Sequence, residues 1–564
     1  MHVALLALAL QLQTVALAAP GVRHVPTMAD SIGDLRRAQG EQASFERSRR
    51  ALLPYGQSSG GRCDVRLGRF CWWYDDAMPK FPPEAELITR RRAELLTALD
   101  QLGARYPGDD WFAGMRVHYR IDGRDLAGAD SLVHSCHATA WWCSALTGYV
   151  AHARSEHQRA DSAFAAAIQA MPVDSACTWR SIAPLLKDDD RDLYEHLPCN
   201  GRGDVERRYW LFSRPMLTNA ANDWQNEFYV RRVLARLAER SATPQGLSWG
   251  DDAAELLLRY GWPVAWSRIQ TIDPMADPSI IGHDPSPSFA FAPSAPMADS
   301  SNALSEEAWD LLDVRAEARY APRLVRRMAG VSAQVARFRR GDSTLVVAAF
   351  AAADDSLHTA IASLAAATSD GKTFASTPDT IRAGHAQVMM AGSPVLAGVE
   401  VTDTTTKLLA RMRYAYAAGV DSARLVLSDL LLYRAGSEQA ATLDSALARA
   451  IPGDTVARGR PIGLFWESYG VASEGETVDL MVTVERIDHS WFRSTRQRLG
   501  ITAEDTPIRM KWTDARPPAN RATARAISLD LANLDKGRYR VTLTMTPAAG
   551  APVATSRELT LQDR

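Results

Sequence analysis

The sequence predicts a multidomain α+β protein, with an α-helical repeat domain in its N-terminal part and two antiparallel β-sandwich domains in its C-terminal part. Three observations lead there. From about residue 83 apolar residues recur at three- and four-residue spacing, and after about residue 320 the period changes to two. All six cysteines lie in the first 200 residues, which assigns oxidative bracing to one unit. A length of 564 residues leaves room for roughly three or four domains.

Hydrophobic content of 46% and charged content of 23% are those of an ordinary globular chain, not a disordered one. A formal net charge of −2 gives no whole-molecule field favouring nucleic acid or an anionic membrane surface. Only six of the 64 basic residues are Lys. In so Ala-rich a chain the Arg excess reads as base composition of the genome, not as an Arg-specific function.

Residues 1–10 read MHVALLALAL, and Ala16-Leu-Ala18 follows. A short apolar run with a small-x-small site predicts a signal peptide over residues 1–19, too short for a membrane anchor. The expected location of the cleaved chain is extracytoplasmic, periplasmic or secreted. No later apolar run is long enough for a transmembrane anchor: the one at Leu345–Ala353 stops at Asp354-Asp355.

An even cysteine count in an exported chain predicts disulfides. Six cysteines allow 15 connectivities, but these fall as three local pairs, Cys63–Cys71, Cys136–Cys143 and Cys177–Cys199. Each bridge is worth ~2–4 kcal/mol, mainly through the unfolded chain. Cys136 and Cys143 on one straight helix would stand about 10 Å apart, too far to bridge. The chain must therefore turn between them.

In chain order, residues 20–60 are expected to form a helical or partly disordered leader, and 61–205 the disulfide-braced helical domain. Leu87, Leu95, Leu96, Leu99 and Leu102 mark its first amphipathic helix, which ends at Tyr106-Pro107. Further on, Gly148, Ala160, Phe164, Ala167 and Pro172 fall at offsets 0, 12, 16, 19 and 24. Those offsets resemble the tetratricopeptide repeat. Small residues at Gly148 and Ala160 would let two antiparallel helices approach, with Phe164 and Ala167 in the seam.

Residues 206–270 contain LSWGDDAAELLLRYGWP at 247–263. Trp249, Asp252, Arg259, Tyr260, Gly261 and Pro263 match the pattern of the GWxTD domain of bacterial exported proteins, and the stretch resembles that family. Ser248, Asp251 and Trp262 stand where the pattern has Gly, Thr and Pro. Upstream, Tyr209-Trp210, Arg214-Pro215, Asn226-Glu227 and Arg232-Val233 resemble its preamble. Residues 271–320, with Pro274, Pro278, Pro285 and Pro287, are expected to be a proline-rich linker. Strands are expected at 343–350, 387–390, 396–401, 408–416 and 423–431 in the first sandwich (321–436). A helical linker (437–455) leads to the second (456–564), with strands at 462–466, 478–486, 508–512, 524–530 and 539–546.

The candidate binding residues are Trp249, Asp252, Arg259 and Tyr260. The catalytic alternative pairs the Glu227 and Asp252 carboxylates in a cleft, as an extracytoplasmic hydrolase such as a carbohydrate-active enzyme would require. A structural role is preferred: Asp252 caps the next helix and Tyr260-Gly-Trp-Pro packs a corner, with no nucleophile–base pair or metal set beside them. His134, Cys136, His137 and Cys143 are too irregularly spaced for structural zinc, so no metal or cofactor is expected. Residues 366–373 fit a relaxed phosphate-loop pattern but read as a hairpin turn at Asp370-Gly371, not a nucleotide site. Eleven of the 15 Trp lie before residue 270. The expected role is protein or peptide interaction through helical repeats and β-sandwiches, with an envelope structural component as a further alternative.

Overall fold

A computed structural model describes residues 28–55, 65–68, 70–72, 83–243, 246, 248–263, 265–269, 279–283, 288–292, 316–352, 360–379, 383–416, 427–469, 477–488, 507–515, 522–547 and 551–563. The expected signal peptide and Cys63 lie outside these residues. The N-terminal half is helical: α1 (Met28–Ala51), then the short hairpin β1 (Val65–Leu67) and β2 (Phe70–Trp72), α2 (Glu86–Gly103), α3 (Asp110–Asp122), α4 (Leu126–His134), α5 (Ala140–Ala153) and α6 (His157–Ala170). Next come α7 (Val173–Arg180), α8 (Asp188–Glu195), α9 (Gly203–Phe212), α10 (Asp223–Ala238) and α11 (Asp251–Tyr260).

Local chemistry sets the helix starts. Asp109 caps α3 by accepting from the amides of Trp111 at 2.8 Å and Phe112 at 3.1 Å, which satisfies two of the donors a helix start leaves open. Asp125 caps α4 through Gly128 N. The seam between α5 and α6 closes on Gly148: a Cβ there would lie 2.7 Å from the Phe164 ring. Ala160, Phe164 and Ala167 are buried along the same seam. Cys136 follows α4 and Cys143 stands in the first turn of α5. The chain turns between them, and their Cα atoms come within 5.8 Å in a disulfide. Cys177 and Cys199 form a second, with Cα atoms 5.9 Å apart.

Two expected boundaries are corrected. Residues 28–51 of the supposed leader form a 24-residue helix whose Ala38 and Phe45 belong to the same apolar core as α2–α10. Parts of the supposed linker are also built in. β3 (Ala265–Ile269) pairs with β4 (Ser279–His283), and Phe289 bridges to Tyr320, with both rings in the helical core. Their aromatic content outweighs the prolines, because burying such rings contributes more than a connector needs. α9, α10 and α11 likewise share this core, with Trp210, Phe228 and Leu258 buried in it.

The first sandwich is one folded-over sheet in the order β8-β7-β10-β11-β5-β6-β9. Its strands are β5 (Arg327–Arg340), β6 (Ser343–Ala352), β7 (Ile361–Ala367), β8 (Thr373–Ala375), β9 (Ala383–Ala391), β10 (Leu396–Asp403) and β11 (Leu408–Ala415). β5 pairs in parallel with β11 over Arg327–Gly330, then antiparallel with β6 over Val331–Arg340. It carries the chain from one leaf to the other, and Val335, Phe350, Leu364 and Val399 meet between them. Residues 368–372 turn between antiparallel β7 and β8, so Gly371, at φ 85°, sits in a hairpin and not before a helix.

The second sandwich packs a three-stranded sheet, β12-β14-β17, on a five-stranded one, β13-β19-β18-β15-β16. These are β12 (Leu431–Arg434), α12 (Leu443–Leu447), β13 (Thr455–Ala457), β14 (Ile462–Tyr469), β15 (Thr477–Arg486), β16 (Ile508–Ala515), β17 (Ala522–Leu529), β18 (Gly537–Pro547) and β19 (Val553–Gln562). Leu464 and Trp466 meet Leu480, Val541 and Leu559 inside. β13 runs parallel to β19, so both sandwiches are mixed rather than wholly antiparallel. The last strand expected in the first sandwich is displaced: β12 pairs with β14 of the second. The expected 437–455 helix shrinks to α12, whose Leu443 and Leu447 pack with Phe338 and Phe465 and join the two sandwiches.

Candidate functional site

A cavity of about 860 Å³ opens between α1, α2, α3, α10 and the segment that follows α11. Helical spacing supplies its walls. Gln42, Glu46 and Arg49 lie four and three residues apart on one face of α1, and His118, Tyr119 and Asp122 share one face of α3. Ile88, Met115, Leu237, Trp262, Pro263 and Trp266 add apolar surface to the same lining. The Trp249, Trp262 and Trp266 rings follow one another edge to face, with centroids 6.1 and 6.3 Å apart.

The polar wall is one network. Gln42 Nε2 donates to the Tyr119 hydroxyl at 2.7 Å and to Ala242 O at 2.8 Å. Tyr119 donates in turn to Glu46 Oε1 at 2.7 Å. Arg49 and Arg92 both bind Asp122, Arg92 through Nε at 2.7 Å. Arg92 also reaches Glu84, 2.6 Å from its Oε2. Among the described residues, Glu46 Oε2 and Arg49 Nε have no hydrogen-bond partner although both are buried.

The two inner carboxylates are pushed apart electrostatically. Burial raises Glu46 above its ordinary value, and Arg49 and the Tyr119 hydrogen bond offset only part of this. For Asp122 burial also opposes the charge, but Arg49, His118 and Arg92 outweigh it and hold it low. Burial pushes the His118 imidazole down, and its Nδ1 lies 3.2 Å from the Tyr149 hydroxyl. The lining combines fixed hydrogen-bonding groups with aromatic surface, as ligand cavities commonly do.

The residues singled out in the sequence lie beside this cavity. Trp249 reaches it only through the ring of Trp262. Arg259 is buried and paired with Glu255 and Glu317. Tyr260 donates to Ala316 O at 3.1 Å. Arg231 closes the end of α11 by donating to Leu258 O at 3.0 Å, Arg259 O at 2.9 Å and Arg319 O at 3.1 Å. Gly261 turns away there with φ 75°, and Arg231 Nη2 would lie 3.1 Å from any Cβ at that position. These residues form a packed corner.

Asp252 is not the helix cap. Gly250 holds that place, and Asp252 lies in the first turn, with its Oδ1 accepting from Ala253 N at 2.8 Å. It lies against Gly68 of the β1–β2 hairpin. Glu227 sits at the other end of α11, beside Arg231. Asp252 and Tyr260 are ~12 Å apart along that helix, so α11 stands between the two carboxylates proposed as a pair. Glu227 lines a second cavity of about 320 Å³, together with Tyr260. Burial opposes its ionisation, but Arg231 and His152 prevail and bring its pKa down to about 2.

Sequence reading missed the α1 residues altogether. Their signal was the stripe Ala38, Gln42, Phe45, Arg49, obscured because half of it is polar. His134 Nδ1 lies 2.7 Å from Asp130 O, and Cys136 is in its disulfide. Among the described residues no cluster of three or more His, Cys, Asp or Glu is placed to hold a metal ion. No protein-family model matches the chain, and none of the curated proteins is recognisably similar to it.

Proposed function

We propose that the protein is an exported interaction protein whose helical domain receives an amphipathic peptide segment of a partner protein in the cavity between α1, α2, α3 and α10. The observation that carries this reading is the mixed polar and apolar lining of that cavity. Glu46, Tyr119 and Arg49 bring hydrogen-bonding groups to the lining, and Ile88, Trp262 and Trp266 bring apolar surface. An extended segment with alternating side chains presents both kinds of group at once. Asp122 and Glu84 are taken up by arginines, which favours binding over proton transfer.

Within this reading α5 and α6 are a tetratricopeptide-like pair, which the tight Gly148–Phe164 seam supports. Residues 206–270 are a divergent GWxTD domain with a structural role, which the corner built by Arg231, Tyr260 and Gly261 supports. Export is supported by the two disulfides. Among the described residues, no helix is long and apolar enough to cross a membrane.

Photo-cross-linking in the full chain tests this. Benzoylphenylalanine is placed at Leu52 or Ala85 on the cavity rim, and at exposed Val173 as a control. One protein species captured at 52 and 85 but not at 173, and lost with Ile88→Glu, is the expected result. Equal capture at 173, or none at the rim, overturns the reading.

A second reading rests on two carboxylates, Glu46 and Asp122, lining one cavity, with burial raising the first and Arg49, His118 and Arg92 holding the second low against its burial. Such a split is how paired carboxylates divide acid and nucleophile roles in hydrolases. It predicts turnover of glycoside or ester substrates that Glu46→Gln abolishes. The two arginines on Asp122 make it the weaker reading.

A further inference from the structure

We infer that the joint between the helical part and the first sandwich holds a small inorganic anion of the halide class, bound by the guanidiniums of Arg411 and Arg413. The place is where the segment linking α9 to α10 lies against β10 and β11. The inference is independent of the peptide reading above.

Charge is the first argument. Arg411 and Arg413 stand two apart on β11 and so project from one face of the sheet. Both reach the carbonyl of Arg214 in the α9–α10 segment, and all three arginines are buried. One carboxylate meets the group with hydrogen bonds. Glu400 accepts from Leu217 N and Arg413 Nη2 through Oε1, and from Thr218 N and Oγ1 through Oε2. Both of its oxygens are taken before Arg411, its cross-strand neighbour, can reach them. Arg411 donates instead to Pro215 O at 2.8 Å and Arg214 O at 3.1 Å, and its guanidinium lies 5.0 Å from the Phe291 ring centroid. Carbonyls and a ring bring no net negative charge. Asp161 and Asp223 attract Arg214 less than Glu400 does, and burial holds both towards their neutral forms. Positive charge is therefore left over in a place where water cannot offset it.

Unmet hydrogen bonding is the second argument. Arg411 Nε and Nη2, Arg413 Nε and Nη1, and Arg214 Nε are buried and have no hydrogen-bond partner among the described residues. Arg411 Nη1 and Arg413 Nη2 meet at one acceptor, Pro215 O, at 2.8 and 3.0 Å, so the two guanidiniums are neighbours. Buried donors left open are costly unless an acceptor enters. That acceptor must be small: a Cβ on Gly398, opposite Arg413, would lie 3.0 Å from Arg413 Cδ and 2.5 Å from Met412 O. A halide accepts several N–H groups at once and supplies the missing charge. It brings no donor that would itself go unmet.

Thermal unfolding of the full chain in sodium chloride and in sodium gluconate at equal ionic strength tests this, gluconate being too large to enter. Chloride should raise the midpoint, and once the site is filled each further tenfold rise in chloride should raise it again. Arg411→Met should abolish the difference between the two salts. Arg538→Gln, at an exposed ion pair of the second sandwich, should keep it. Diffraction from a bromide-soaked crystal of the parent protein reads the site without any substitution, with an anomalous peak expected beside Arg411 and Arg413. The inference is overturned if the two salts give the same midpoint, as donors met by water alone would. It is also overturned if Arg411→Met keeps the chloride effect, or if bromide is an adventitious ion only, found at the surface and not at the joint.

Discussion

His152 holds its Nε2 2.9 Å from Glu227 Oε2, across the seam between α5 and α10. Arg231 holds the other carboxylate oxygen from within α10. The glutamate thus ties α5 to the corner at Gly261, and its folded pKa of about 2 makes that tie dependent on acid.

The sign follows from linkage. The folded value lies below an unfolded value of roughly 4.3. The stabilisation is complete above that value and drains away as pH falls from it towards 2. Glu227→Gln should cost on the order of 3 kcal/mol at pH 7, and the difference from the parent protein should narrow by pH 3. Denaturant unfolding at both pH values measures it. An equal cost at the two would show that the carboxylate charge is not what matters.

Gly148→Ala should destabilise, against the usual preference of helices for Ala by about 1 kcal/mol. The new methyl would meet Phe164 at 2.7 Å, and overpacking of this kind costs about 1–3 kcal/mol. Adding Phe164→Leu should recover part of the loss, giving a coupling term in a double-mutant cycle. Stabilisation by Gly148→Ala would mean that the seam is looser than described.

The helical domain is joined to the first sandwich through Glu400. It accepts from Leu217 N at 2.7 Å, Thr218 Oγ1 at 2.6 Å and Arg413 Nη2 at 2.6 Å. Burial pushes Arg413 and Arg411 down, and both guanidiniums also donate to Pro215 O. Glu400→Ala should cost about 3–5 kcal/mol, because it strands a buried charge. Calorimetry should then resolve separate melting of the helical and β parts. A single unshifted transition would contradict this.

The change of period near residue 320 was legible because helices and strands bury side chains at different intervals. Cys136–Cys143 and Cys177–Cys199 were legible because local pairs leave few geometric choices. β5 was not, because arginines at both ends and alanines within hide its alternation, although it is the strand that links the two leaves. β12 could not be assigned to the second sandwich, since strand partnership is a tertiary fact. The cavity was hidden for a related reason. Part of its polar lining comes from α1, whose buried Gln42 and Glu46 look like solvent-facing residues until Tyr119, 73 positions beyond Glu46, supplies their partner. The 247–263 stretch was conspicuous for its aromatic residues. Its contribution to the cavity is Trp262 and Pro263.

The cavity can be closed without touching its network, because Ala85 is exposed at its rim and lines it. The decisive measurement is the affinity of the cross-linked partner segment for the parent protein and for Ala85→Trp. The account predicts a loss of at least roughly tenfold, about 1.4 kcal/mol, with thermal stability unchanged. Undiminished affinity for Ala85→Trp would contradict it and move the binding surface elsewhere on the chain.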